Sequence, residues 1–164
     1  MKKRIQIYLD TSVINFLFAD DAPTNKELTK ELFENYIKTG IYDAYISEFV
    51  IAEIEATTNA VKKNKLLSVL RHYPIETIEL INRNEIEELA KRYIQSRIIP
   101  EKSFTDALHI SVAVTGKIPY LVSWNYKHLA NIRQEQKIKI VNIQNGYIHE
   151  LRIITPLELL NDES

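Results

Sequence analysis

The sequence predicts an α/β fold around a mostly parallel sheet, and three observations carry that prediction. Short runs rich in β-branched and aromatic residues, such as Ile5-Gln6-Ile7-Tyr8-Leu9 and Tyr120-Leu121-Val122-Ser123, alternate with longer stretches of helical periodicity. Capping residues follow the early runs: Asp10-Thr11-Ser12 after the first and Ser47 after 44–46. Isolated acids stand at the edges of apolar runs, and in such folds ligands collect beyond the carboxyl ends of the strands.

Each element can be argued in order. Residues 5–9 read as a buried strand, and 13–18 continue as a short helix or turn. Asp20-Asp21-Ala22-Pro23-Thr24 is a polar loop, with Thr24 placed to cap a helix over 25–38 that Gly40 ends. A second strand at 44–46 leads into a Ser47-capped helix carrying Val50, Glu53 and Ile54 on one side. A basic-faced helix over 60–72 holds Lys62, Lys63, Lys65 and Arg71. A strand at 75–80 and an amphipathic helix at 84–98 follow. Ser103 is placed to cap a helix over 104–114, and 120–123 is a strand. The pattern then gives a helix at 126–134, a strand at 138–142, an extended segment at 153–155 and a last helical turn from Pro156.

The chain has 164 residues, 45% hydrophobic and 26% charged, which fits one globular domain over 1–164, with 142–164 as a C-terminal extension packing on it. The net charge of -1 gives no global pull toward nucleic acid, although a local basic patch suffices for that. The absence of cysteine excludes disulfides and thiolate metal sites. Lys2, Lys3 and Arg4 precede an apolar run too short for a signal peptide, and no stretch is long enough to span a membrane, so a cytoplasmic protein is expected. Three glycines in all leave neither a phosphate-binding loop nor a dinucleotide fingerprint, and there is no Gly-x-Ser-x-Gly elbow.

The acids carry the chemistry. Asp10 closes the first apolar run, Glu53 sits within Phe49-Val50-Ile51-Ala52-Glu53-Ile54, and Asp106 opens Asp106-Ala107-Leu108-His109-Ile110. Carboxylates beside apolar elements are costly to bury unpaired, so three of them placed alike point to one oxygen-rich site suited to Mg²⁺ or Mn²⁺. Such ions let a protein hydrolyse phosphodiesters by activating water and stabilising the leaving oxygen. Thr11 and Ser12 offer hydroxyls at a helix start, and Asn15 lies close to the same turn.

These motifs resemble the PIN domain, the fold of the VapC-type toxin nucleases. The resemblance rests on the strand-Asp10-Thr11-Ser12 opening, on Val50-Ile51-Ala52-Glu53-Ile54, on Thr105-Asp106-Ala107-Leu108-His109-Ile110, and on the closing segment from Leu121 through Ser123-Trp124-Asn125 to Leu129. It implies a three-layer α/β/α fold and a Mg²⁺- or Mn²⁺-dependent endoribonuclease, with Asp10, Glu53 and Asp106 as catalytic metal ligands. It also implies an RNA substrate, a small antitoxin protein as partner in a type II toxin–antitoxin pair, and a homodimer. Many members carry a fourth acid after the late strand. This chain departs there, with Asn125 as the candidate fourth catalytic group and His128, Ser123, Thr11, Ser12 and Asn15 as groups that position substrate or water.

Plainer readings stand beside these. Asp10 and Asp106 also fit simple helix caps, Asn125 a turn residue, and His109 and His128 structural or surface histidines. Trp124 reads as a packed anchor rather than a base-stacking platform. The lysine run reads as a solvated helix face before it reads as an RNA contact. A catalytically weak or inactive binding module with the same fold is the alternative function. A Mg²⁺-dependent phosphatase or DNA nuclease of similar architecture is a third.

Overall fold

The computed structural model describes residues 4–161, so the expectations for Lys2 and Lys3 lie outside it. Five parallel strands form one sheet in the order β3-β2-β1-β4-β5: β1 Ile5–Leu9, β2 Tyr42–Ile46, β3 Ile75–Thr77, β4 Tyr120–Val122 and β5 Arg152–Ile154. The helices between and after them are α1 Thr11–Asn15, α2 Pro23–Glu31, α3 Glu48–Glu55, α4 Ala60–His72, α5 Arg83–Gln95, α6 Phe104–Thr115, α7 Ile132–Gln144 and α8 Pro156–Asn161.

The central strand explains the layering. Ile7, Tyr8 and Leu9 are consecutive and wholly buried. Successive strand residues point to opposite faces, so both faces of β1 must be covered, which makes the α/β/α sandwich. The chain leaves β1 for β2 on one side and pairs it with β4 on the other, so the end of β1 is the point where the strand order reverses. Asp10, Ser47 and Ser123 are the residues that follow β1, β2 and β4, and they therefore share one edge of the sheet. Residues 152–154 complete that sheet, and α8 packs against α2.

Several local expectations are corrected. Thr24 does not cap the second helix: Pro23 takes its first turn, where a missing N–H costs nothing, and Ala22 stands at the cap position without a side-chain bond. From Leu32 to Ile37 that helix widens into π-helical turns, which still bury Leu32, Phe33 and Ile37. The strand expected over 75–80 stops at Thr77, because its partner β2 ends at Ile46 and turns into α3. Ser103 stands at the head of α6, but its side chain makes no cap bond.

The largest correction is at 126–144. The expected helix over 126–134 is a loop as far as Asn131, whose side chain caps α7 by accepting from Gln134 N–H. The expected strand over 138–142 lies inside α7. Ile138, Ile140 and Val141 are β-formers in near alternation, but the buried positions are Gln134, Ile138, Val141 and Asn142, a helical spacing. Ile132, Ile140 and Ile143 are left exposed, so the apolar content of this segment misled where its periodicity did not.

Candidate active site

Asp10 is buried where β1 hands over to α1. It caps that helix, accepting from Val13 N–H at 3.4 Å. Two serine hydroxyls also donate to it: Ser12 to Oδ1 and Ser123 to Oδ2, each at 2.5 Å. Those serines are held in turn, since Ser12 Oγ accepts from Trp124 N–H at 3.0 Å and Ser123 Oγ from Asn125 N–H at 2.9 Å. The cap reading of Asp10 holds, and both of its oxygens carry a further serine bond. Burial pushes its carboxyl up from the ordinary range, opposed by His109, by the two serines and by Val13 N–H.

Glu53 reaches the same edge from α3. Its Oε1 accepts from Thr11 Oγ1 at 2.6 Å and lies 2.7 Å from His109 Nε2. Burial pushes Glu53 up, but the bond and charge of His109 together with the Thr11 hydroxyl outweigh it, and its pKa ends below the usual value. Asp106 stands in the first turn of α6, where the helix dipole favours negative charge. Its Oδ2 accepts from Asn125 Nδ2 at 3.1 Å. Burial first, then repulsion from Asp10 and Glu53, lifts its pKa to about 6. Asn125 N–H also donates to Ser123, which bonds Asp10, and Thr11 beside Asp10 bonds Glu53, so short hydrogen-bond links tie the three carboxylates to one edge of the sheet.

The other candidates divide. Asn125 is a hub: its amide nitrogen serves Asp106, and its Oδ1 accepts from His128 N–H at 3.1 Å. His128 joins through its backbone. Burial and the neighbouring Lys127 and Lys102 hold its imidazole pKa low. Asn15 lies one turn past Thr11 on α1 and lines a groove of about 530 Å³ with Phe16, Phe18, Lys62 and Lys65. Trp124 is the packed anchor expected, its ring 5.5 Å from Phe16 and its Nε1–H donating to Thr29 Oγ1 at 2.9 Å. His109 is the residue that sequence reasoning undervalued. It is buried between Tyr8 and Glu53, and its place three residues after Asp106 on one helix face was the available signal.

The raised Asp106 makes a stability prediction. The native state keeps this proton up to about pH 6, whereas an unfolded chain releases it near 3.8. Between those values the native state binds more protons, so its stability falls as pH rises through that window. Metal-free Asp106→Asn should therefore melt higher than wild type at about pH 7, by on the order of 1 kcal/mol after screening at this partly exposed group, and lose the advantage at about pH 4. Thermal melts at the two pH values in a chelator check it.

Among the described residues no helix is long and apolar enough to cross a membrane. Comparison with curated proteins gives no match. Among solved structures, the fold resembles a chain of VapBC2 from Rickettsia felis bound to a DNA fragment from their promoter, at 16% identity and a TM-score of 0.59, covering 92% of this chain and 98% of that one. The family model of the PIN domain matches residues 7–134, which run from within the first strand through all three carboxylates to the capping turn of α7. The chain belongs to the PIN domain family.

Proposed function

We propose that this protein is a divalent-metal-dependent endoribonuclease in which Asp10, Glu53 and Asp106 hold the metal, Mg²⁺ or Mn²⁺. The observation that carries the reading is the set of acids at the strand-order reversal: Ser123 bonds Asp10, Asn125 bonds both Ser123 and Asp106, and Thr11, next to Asp10, bonds Glu53. PIN domains are generally nucleases that use divalent ions, which supports it. Among the described residues no three acids or histidines stand as a ready-made metal cage. The donor chemistry nevertheless fits: hard carboxylate oxygens, partly buried, with a repulsion that a cation relieves. When bound, such an ion lowers the pKa of water and stabilises a leaving phosphate oxygen.

The chain's own residues supply the rest. Ser12 and Ser123 fix both oxygens of Asp10, Thr11 fixes Glu53, and Asn125 fixes Asp106 and the loop after β4. In this reading Asn125 takes the fourth catalytic position and holds a neighbouring carboxylate in place of being one. Ser123, Thr11, Ser12, Asn15 and His128 position substrate or water around it. The residues 1–164 act as one domain. A small antitoxin protein and a homodimer belong to the same proposal, the former supported by the VapBC2 assembly whose chain this fold resembles.

The groove beyond Asn15 supports a single-stranded substrate. Phe16 and Phe18 line it with Lys62 and Lys65, and Lys65 Nζ lies 6.0 Å from the Phe18 ring, while Asp21 tempers the positive charge. Lysines beside aromatic rings suit a nucleic-acid backbone and its bases. The double variant Lys62→Ala/Lys65→Ala should bind RNA less tightly and lower the salt slope of log K by about 1.4, the share of two single-strand phosphates. An unchanged slope in a salt titration would remove the groove from the substrate path.

The deciding experiment is incubation of the purified protein with structured and single-stranded RNAs in Mn²⁺, Mg²⁺ or EDTA. Cleavage that needs metal is expected. Its absence in well-folded, metal-supplied protein would move the assignment to a binding module.

A further inference from the structure

The proposed nuclease uses Glu53 but leaves a buried chain of polar groups behind it unexplained. Tyr8 and His109 are 0% and 1% exposed, and Ser47 is equally enclosed. Ser47 Oγ accepts from Phe49 N–H at 3.2 Å and lies 2.6 Å from Tyr8 Oη. Tyr8 Oη lies 2.7 Å from His109 Nδ1, and His109 Nε2 lies 2.7 Å from Glu53 Oε1. Four elements, β1, β2's end, α3 and α6, meet along this line. Burying so many polar groups is costly unless each is satisfied and something is gained by their order.

Proton accounting fixes the direction at the end that matters. A carboxylate only accepts, so His109 Nε2 must donate to Glu53. Nδ1 is engaged by Tyr8, so both ring nitrogens are committed and the imidazole cannot turn over without losing two bonds. Thr11 Oγ1 donates to the same Oε1. Glu53 is thus held by two donors on one oxygen, while Oε2 carries no hydrogen bond among the described residues.

We propose that His109, braced by Tyr8 and Ser47, is a positioning residue that locks Glu53 with Oε1 occupied and Oε2 free to meet a divalent cation. The inference rests on the metal reading of the site. It adds that the metal affinity of Glu53 is set from behind, by a histidine that never touches the substrate. Groups that orient a metal ligand in this way are typically worth about 10- to 100-fold in affinity.

The test uses Mn²⁺ alone as probe, titrated calorimetrically into the metal-free full chain, with RNA cleavage measured in parallel. His109→Leu removes both ring nitrogens at similar size. It should weaken Mn²⁺ binding about tenfold or more, with Thr11 still holding Oε1, and lower kcat while leaving the KM for RNA close to wild type. His109→Gln returns an N–H near the place of Nε2 and should recover most of the Mn²⁺ affinity, which a merely structural role would not predict. Tyr8→Phe keeps the ring and loses the brace, so its Mn²⁺ affinity should fall between wild type and His109→Leu. Mn²⁺ affinity within twofold of wild type in folded His109→Leu, or no recovery in His109→Gln, overturns the proposal. If His109→Leu does not fold, unchanged Mn²⁺ affinity in Tyr8→Phe overturns it. Weakened Mn²⁺ binding in protein that cleaves no RNA would sink the nuclease reading and leave the positioning role standing.

Discussion

Asp10→Asn protein should fold with nearly wild-type stability and cleave RNA at least about 10²-fold more slowly, the scale of losing one charge-stabilising group. Two opposing effects keep the fold. The amide removes a buried charge that desolvation already disfavours. It also puts an NH₂ where one serine hydroxyl had an acceptor, which costs about 1 kcal/mol. The activity loss has no such offset, because Asp10 is the most deeply buried of the three acids and the one most completely oriented by donors. Paired melts and single-turnover cleavage assays check both halves. A variant that cleaves within a few-fold of wild type would remove Asp10 from the metal set, and with it the centre of the proposed site.

Trp124→Ala should be the most damaging substitution outside the acids, losing about 3–5 kcal/mol of stability in a denaturant titration. The indole is 5% exposed, packs against Phe16 and Tyr126, and bonds Thr29. Its backbone N–H holds Ser12 Oγ, and Ser12 holds Asp10, so relaxation of this loop also loosens the carboxylate. Trp124→Phe should keep the ring packing and forfeit only the Nε1–H bond to Thr29, about 1 kcal/mol. Equal losses from the two variants would show that the hydrogen bond, not the packing, anchors the loop.

The parts legible in the sequence were those where local chemistry and tertiary demand agree. A run such as Ile5–Leu9 closed by Asp-Thr-Ser reads as a strand feeding a helix, and it is one. The helix read over 60–72 from its basic face occupies those positions, and the structure adds Asn59 as its cap. The illegible parts are those where distant residues decide. Ile138 and Val141 favour strand locally, but packing of their helical stripe overrides that preference. Tyr8 looks like any strand core residue, and only the fold reveals that its hydroxyl has a partner 101 positions away. Asn125 could be read as a turn residue or as a stand-in for an acid. It lies in a turn and also binds Asp106, a pairing that neither spacing nor composition states.

The order of strands also bears on when the surroundings of Asp10 are completed. β1 leaves the ribosome well before its neighbour β4, and Asp10 bonds a serine 113 positions downstream. Until residues 120–125 have emerged, the nascent chain has Asp10 and Glu53 but neither Ser123 nor Asn125 to orient the acids. Translation proceeds at about 5–20 residues per second, so several seconds separate synthesis of the first acid from completion of its setting. Contacts this distant in sequence also make folding slow. A truncated or stalled chain therefore carries the acids without the residues that orient them.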